Sequence, residues 1–186
     1  MLIAMAGLPG TGKSTLARAL VEALMARGHE AYILDKDHVR AAIFPPGTVA
    51  YSREQDDLCV DVMLQVATFL LQRQPERIVV LDGRTFSHRE QLETVIASAA
   101  AVPAPLHVIE CRCQGATALT RLTQDHEQGT HPAKNRDADL YRRVKAQADP
   151  IVAAHHLVVN TDEPLDANVT LCLAYLAEEA QIRAAS

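Results

Sequence analysis

The segment Gly7-Leu8-Pro9-Gly10-Thr11-Gly12-Lys13-Ser14 satisfies the pattern G-x-x-x-x-G-K-S/T, the spacing a chain needs to wrap a row of phosphates. Glycines let the backbone curl until successive N–H groups point inward, and a helix beginning near Lys13 adds the partial positive charge of its N-terminus. Lys13 then reaches the β- and γ-phosphates, the Ser14 hydroxyl is placed to ligate Mg²⁺, and Thr15 closes the cradle. The expected ligands are therefore ATP and Mg²⁺. The metal's second contact is usually an acid at the end of a neighbouring apolar strand, and Ile78-Val79-Val80-Leu81-Asp82 ends on Asp82.

A second set of residues could serve a phosphoryl acceptor. In Asp35-Lys36-Asp37-His38-Val39-Arg40 a carboxylate and an arginine stand about one helical turn apart if a helix begins there. Asp37 is expected to take the proton of an attacking hydroxyl, Arg40 to grip an anionic part of the substrate, and Asp35 to line the same pocket. Arg84 and Arg89 follow the strand that ends at Asp82 and are expected to join Arg40. Arg121 is expected to approach the phosphates when a lid closes, with Lys134 or Arg136 supplying a second charge. Each of these has a plainer alternative: an Asp that caps a helix, or an arginine solvated on a helix surface.

The elements that must position these groups alternate from end to end. Short buried runs predict strands at Leu2 to Ala6, Ala31 to Leu34, Arg77 to Leu81, Leu106 to Cys111 and Leu157 to Asn160. Helical patterns lie at Lys13 to Arg27, Arg53 to Gln72, Arg89 to Ala100, Ala116 to Thr123, Asp137 to Ala148 and Leu165 to Arg183. In the second of these, Leu58, Val62, Val66 and Phe69 share a face. The class is α/β with a five-stranded parallel sheet. Two regions break the alternation. Phe44 to Ser52 carries Pro45, Pro46 and Gly47, and the polar stretch Gln124 to Arg136 is read as a mobile cover between two helices.

Length and composition bound the rest. A chain of 186 residues fits one domain spanning residues 1–186. A net charge of −5 supplies no general attraction to nucleic acid or anionic membrane, so bulk nucleic-acid binding is not expected and any anion site must be local. The apolar opening Met1 to Ala6 is too short for a membrane span. Cys59, Cys111, Cys113 and Cys172 show no disulfide framework, which points to a cytoplasmic setting. Cys111 and Cys113 are read as core thiols, and His126, His131, His155 and His156 lack metal-site spacing.

A phosphate cradle alone leaves switch, motor and kinase open. A guanine-nucleotide switch would carry Asn-Lys-x-Asp late in the chain, where Asn160-Thr161-Asp162-Glu163 lacks the lysine, and a ring-forming motor needs more chain. The acceptor-type residues favour a kinase. Residues 7–17, the segment Leu34 to Arg40 and Tyr51-Ser52-Arg53-Glu54 resemble small P-loop kinases of the adenylylsulfate kinase type. Asp82 to Arg89 is loosely similar to that family's acceptor segment, and Lys36 stands where the family has glycine. The Asp37–Arg40 spacing is equally similar to polynucleotide 5′-hydroxyl kinases. This resemblance implies a three-layer P-loop NTPase fold of the nucleoside- and nucleotide-kinase kind, with a helical lid near residues 124–136. It also implies ATP-dependent phosphoryl transfer to a small, anionic metabolite by a monomer or homodimer. The alternatives are a polynucleotide or nucleoside 5′-hydroxyl kinase and a regulatory ATPase without an acceptor.

Overall fold

The run Leu2–Ala6, apolar at every position, becomes the central strand β1, buried on both faces as a parallel-sheet strand must be. In a computed structural model, which describes residues 1–102, 104–128 and 137–184 with side chains as far as Glu178, four more strands flank it. They are β2 (Ala31–Asp35), β3 (Ile78–Asp82), β4 (Leu106–Arg112) and β5 (His156–Asn160), in the order β2-β3-β1-β4-β5 and all parallel. The order reverses at β1, with β3 on one side and β4 on the other. In open α/β sheets a ligand crevice opens beyond the strand ends at such a point.

Alternation along the strands divides the core into two layers. Leu2, Ala4, Ala6, Val79, Leu81 and Val108 face helices α3 (Arg53–Arg73) and α4 (Arg89–Ala99). Ile3, Met5, Val80, Ile109 and Cys111 face α1 (Lys13–Met25) and α7 (Leu165–Ala184). Helix, sheet and helix make the expected three-layer P-loop fold. Two further helices, α5 (Gly115–Gln128) and α6 (Ala138–Gln147), form a small cluster of their own through Ala118, Leu122 and Tyr141, on which Leu8 packs. Among the described residues no helix is long and apolar enough to cross a membrane.

Three local readings change. The segment after β2 is a helix, α2 (Lys36–Ile43), started by the Asp35 carboxylate, which accepts from the N–H groups of Asp37 and His38. On α3 the face that carries Leu58, Val66 and Phe69 is turned outward. The sheet is met instead by Cys59, Val60, Met63, Leu64, Ala67 and Leu71. This helix has two apolar stripes, and the one with small residues allows the closer approach to β3. Helix α5 runs to Gln128, so the polar stretch from Gln124 begins helical. Polar Gln124-Asp125-His126-Glu127-Gln128 contains no breaker, and the first one is Gly129. Residues 129–136, with the expected lid residues Lys134 and Arg136, lie outside the described residues. The stretch from Phe44 to Ser52 stays free of helix and strand, as its prolines require.

Candidate active site

The loop between β1 and α1 is built to leave donors open. Helices α2, α3 and α6 begin with a side-chain cap from Asp35, Ser52 and Asp137, whereas α1 begins at Gly12 with no side-chain cap and no acid in its first turn. Its first N–H groups and the positive end of its dipole are therefore left for an anion. Gly7 has φ +131, and any Cβ there would run into the Cys111 carbonyl, so only glycine lets β1 turn into the loop beside β4. The loop is tied down on both flanks. Gly7 N–H donates to Thr85 O at 3.0 Å on the β3 side, and on the β5 side the Thr161 hydroxyl donates to Thr11 O at 2.9 Å.

Lys13 is nearly buried, its ammonium 2.9 Å from Gly7 O and 2.8 Å from Leu8 O. It holds the loop closed around its own charge. Asp82, at the end of β3, is 2% exposed, and among the described residues its Oδ1 has no hydrogen-bond partner. Lys13 and Asp82 both act on the buried Cys111 thiol. Burial pushes the Cys111 thiol up to about 12, with Lys13 pulling it down and Cys172, Asp82 and Glu110 adding to the rise. A buried carboxylate oxygen without a partner among the described residues is a group that a divalent cation would satisfy, and Ser14, the other expected metal residue, is half-buried in the first turn of α1.

The acceptor-type residues gather at the β2 and β3 ends. The register sets Asp35 opposite Asp82, and a Cβ on Gly83 would lie 2.8 Å from Lys36 Cβ, so α2 starts in contact with the turn after β3. Arg40 is 1% exposed and donates to both Asp37 and Asp56, with its guanidinium 4.8 Å from the Tyr51 ring centroid. The Lys36 ammonium bonds Asp56 at 2.6 Å and lies 3.7 Å from Asp37. Burial holds the Tyr51 phenol above its ordinary range, and the Asp37 charge adds to the rise while Arg40 opposes it. Arg84 is buried on Asp57, and Arg53 reaches both Asp57 and Glu90. Arg89 is exposed at the start of α4, where its N–H donates to Asp149.

Of the expected substrate residues, the structure thus gathers Asp35, Arg40 and Arg84 at one sheet edge, each with partners within the chain. Asp35 is a helix cap, and the two arginines are taken up by carboxylates of α2 and α3. Arg89 stays outside this cluster. Arg121 lies toward the other edge: its guanidinium donates to the Thr161 carbonyl at 2.7 Å and to its hydroxyl at 3.2 Å. It borders a cleft of about 220 Å³ lined by Gly12, Thr15, Leu16, Thr161, Leu165 and Asn168. With Thr161 after β5 and Asp37 after β2, the cradle at β1 separates Arg121 from the acceptor-type residues.

Sequence reading gave no role to Asp56, Asp57, Tyr51, Thr161 or Asn168. The acids were readable only as residues near the start of α3, and their partners on α2 and after β3 come from chain more than ten residues away. It also found no carboxylate for His156, which stands 3.0 Å from Glu110 across the β4–β5 pair, beside the bidentate Arg112–Glu110 bridge. Among the described residues no group of three metal-binding side chains forms.

Comparison with known proteins agrees with this architecture. The adenylyl-sulfate kinase of Yersinia pestis is 65% identical over 34 residues, a stretch that spans 18% of this chain and only 16% of that enzyme. The Mycobacterium tuberculosis APS kinase CysC, solved in complex with AMPPNP and APS, superposes with a TM-score of 0.71 over 95% of this chain and 96% of its own, at 17% identity. A gluconokinase from Sinorhizobium meliloti 1021 superposes with a TM-score of 0.64 over 96% of this chain and 93% of its own, at 19% identity. At these identities the superpositions show a shared P-loop kinase-like fold. The model of the AAA domain family matches residues 2–165, and the chain therefore belongs to that family.

Proposed function

We propose that this protein is an ATP-dependent phosphotransferase that moves the γ-phosphate to a hydroxyl of a small metabolite. The observation that carries this reading is the shared sheet edge: Asp35 and Asp82 stand side by side in register, and the loop after β3 is bonded to Gly7 of the cradle. Donor-binding and acceptor-type groups therefore open on one crevice. The named relatives support the same direction, since one acts on adenylyl sulfate and one is a gluconokinase by name.

In this reading the uncapped N–H groups at the start of α1 and the Lys13 ammonium hold the triphosphate, and the base takes the cleft beside Gly12, Thr161 and Arg121. Mg²⁺ on Ser14 and Asp82 would neutralise charge on the β- and γ-phosphates. The acceptor oxygen forms its bond to the γ-phosphorus as the bond to the β-bridging oxygen breaks, ADP departs, and the hydroxyl proton passes to Asp37. Arg40 orients that carboxylate. Catalysis is mainly positioning and charge stabilisation. Four free cysteines fit a reducing cytoplasm.

The test is a metabolite-library screen for acceptor-dependent ADP release. Once an acceptor is found, Asp37→Asn is expected to lower transfer by about 10²–10⁴-fold while ATP still binds. Transfer at the wild-type rate would remove Asp37 as the base. Asp82→Asn is expected to raise the Mg²⁺ concentration for half-maximal rate by about 10–100-fold. An unchanged Mg²⁺ titration would place the metal elsewhere.

A further inference from the structure

We infer that the phosphoryl acceptor carries no negative charge: the pocket is suited to an uncharged or amine-bearing polyol. This rests on the phosphotransferase reading and concerns the same site. The sequence suggests the opposite, because Arg40, Arg84 and Lys36 cluster where an anionic substrate could be gripped. In the fold these cations are the covered members of the cluster. The Arg40 side chain is 1% exposed, Arg84 8% and Lys36 9%, whereas Asp56 is 32% exposed and Asp57 46%. A solute entering from solvent meets carboxylates first.

Each cation is also already answered. Arg40 bonds Asp37 and Asp56, Lys36 bonds Asp56, and Arg84 bonds Asp57. Arg53, an exposed cation at this rim, bonds Glu90 and lies 3.7 Å from Asp57. An anionic acceptor would have to displace Asp56 or Asp57 from a buried partner, exchanging one carboxylate contact for another while bringing like charges together. It gains nothing by the exchange. A hydroxyl or an ammonium group needs no exchange. Both cations bond Asp56 through Oδ1, which leaves Oδ2 to accept from a donor, and a cationic group would add Coulomb attraction to the exposed acids. The Tyr51 ring, stacked on the Arg40 guanidinium, offers an apolar wall for the carbon face of a polyol.

Two measurements on the full chain test this. The first uses wild-type protein and matched acceptors: polyols, their amino counterparts, and the same skeletons bearing a carboxylate or phosphate, each read by acceptor-dependent ADP release. Turnover with the uncharged or amino members, falling at least about tenfold when an anionic group is added, is the expected result. Turnover confined to the anionic members would overturn the inference and leave the phosphotransferase standing. ADP release that no acceptor raises would overturn both. The second measurement fills the cradle with AMPPNP and Mg²⁺ and titrates inorganic sulfate by calorimetry. Wild type is expected to give no saturable uptake, and the folded double variant Asp56→Asn/Asp57→Asn to gain it by releasing Arg40 and Arg84. Saturable uptake by wild type, or none by the double variant with native circular dichroism, counts against the inference.

Discussion

Lys13→Ala is expected to lower kcat/KM by about 10²–10³-fold, the usual cost of removing one charge-stabilising donor from a pre-organised site. Nearly all of the loss should appear in kcat once ATP is saturating, because the backbone N–H groups at the start of α1 remain to bind the phosphates. The geometry adds a second effect. The ammonium bonds the Gly7 and Leu8 carbonyls, so it also holds the loop in its curled form before nucleotide arrives. Without it the curl keeps the Gly7 bond to Thr85, the Thr161 bond to Thr11 and the Thr11 bonds to the Leu8 carbonyl, all of which survive the substitution. The variant should therefore fold and still bind ATP, more weakly. Steady-state rates and nucleotide titration separate the two effects. A variant with wild-type kcat would show that Lys13 serves the loop and not the transferred phosphate.

The donor half of this site could be read residue by residue because every part of it is local. The six loop residues 7–12, the strand before and the helix after contain the whole device, and the pattern specifies both backbone shape and charge. Asp82 was readable for the same reason, as the last residue of a buried strand. The acceptor half was not. Asp37 and Arg40 could be paired by spacing, but whether Arg40 faces a substrate or a neighbour depends on Asp56, which reaches it only because α3 folds back over α2. Likewise Arg84 meets Asp57 across a gap of 27 residues. Residue type gave the charges and tertiary contact decided their partners. The α3 stripe carries the same lesson for the core: Leu58, Val66 and Phe69 have the right period, yet only packing against β3 chooses which of two apolar faces is buried.

That chosen partnership makes Arg40 the residue on which the acceptor edge depends. Arg40→Ala is expected to cost about 3–5 kcal/mol, since breaking a buried ion pair leaves its carboxylates in a low-dielectric site without compensation. Lys36 remains within reach of Asp37 and Asp56, so the lower end applies. For a chain of this size that corresponds to a fall in Tm of roughly 6–12 °C. Arg40→Lys should recover little of it, because one ammonium cannot reproduce a planar fork that bonds two acids and stacks on Tyr51. Adding Asp56→Asn to Arg40→Ala should return part of the lost stability by removing one stranded charge, a coupling that a purely steric role would not produce. Thermal unfolding of the four proteins measures this. If Arg40→Ala melts within about 2 °C of wild type, the guanidinium contributes less than about 1 kcal/mol. The edge must then be held by the α2–α3 packing alone.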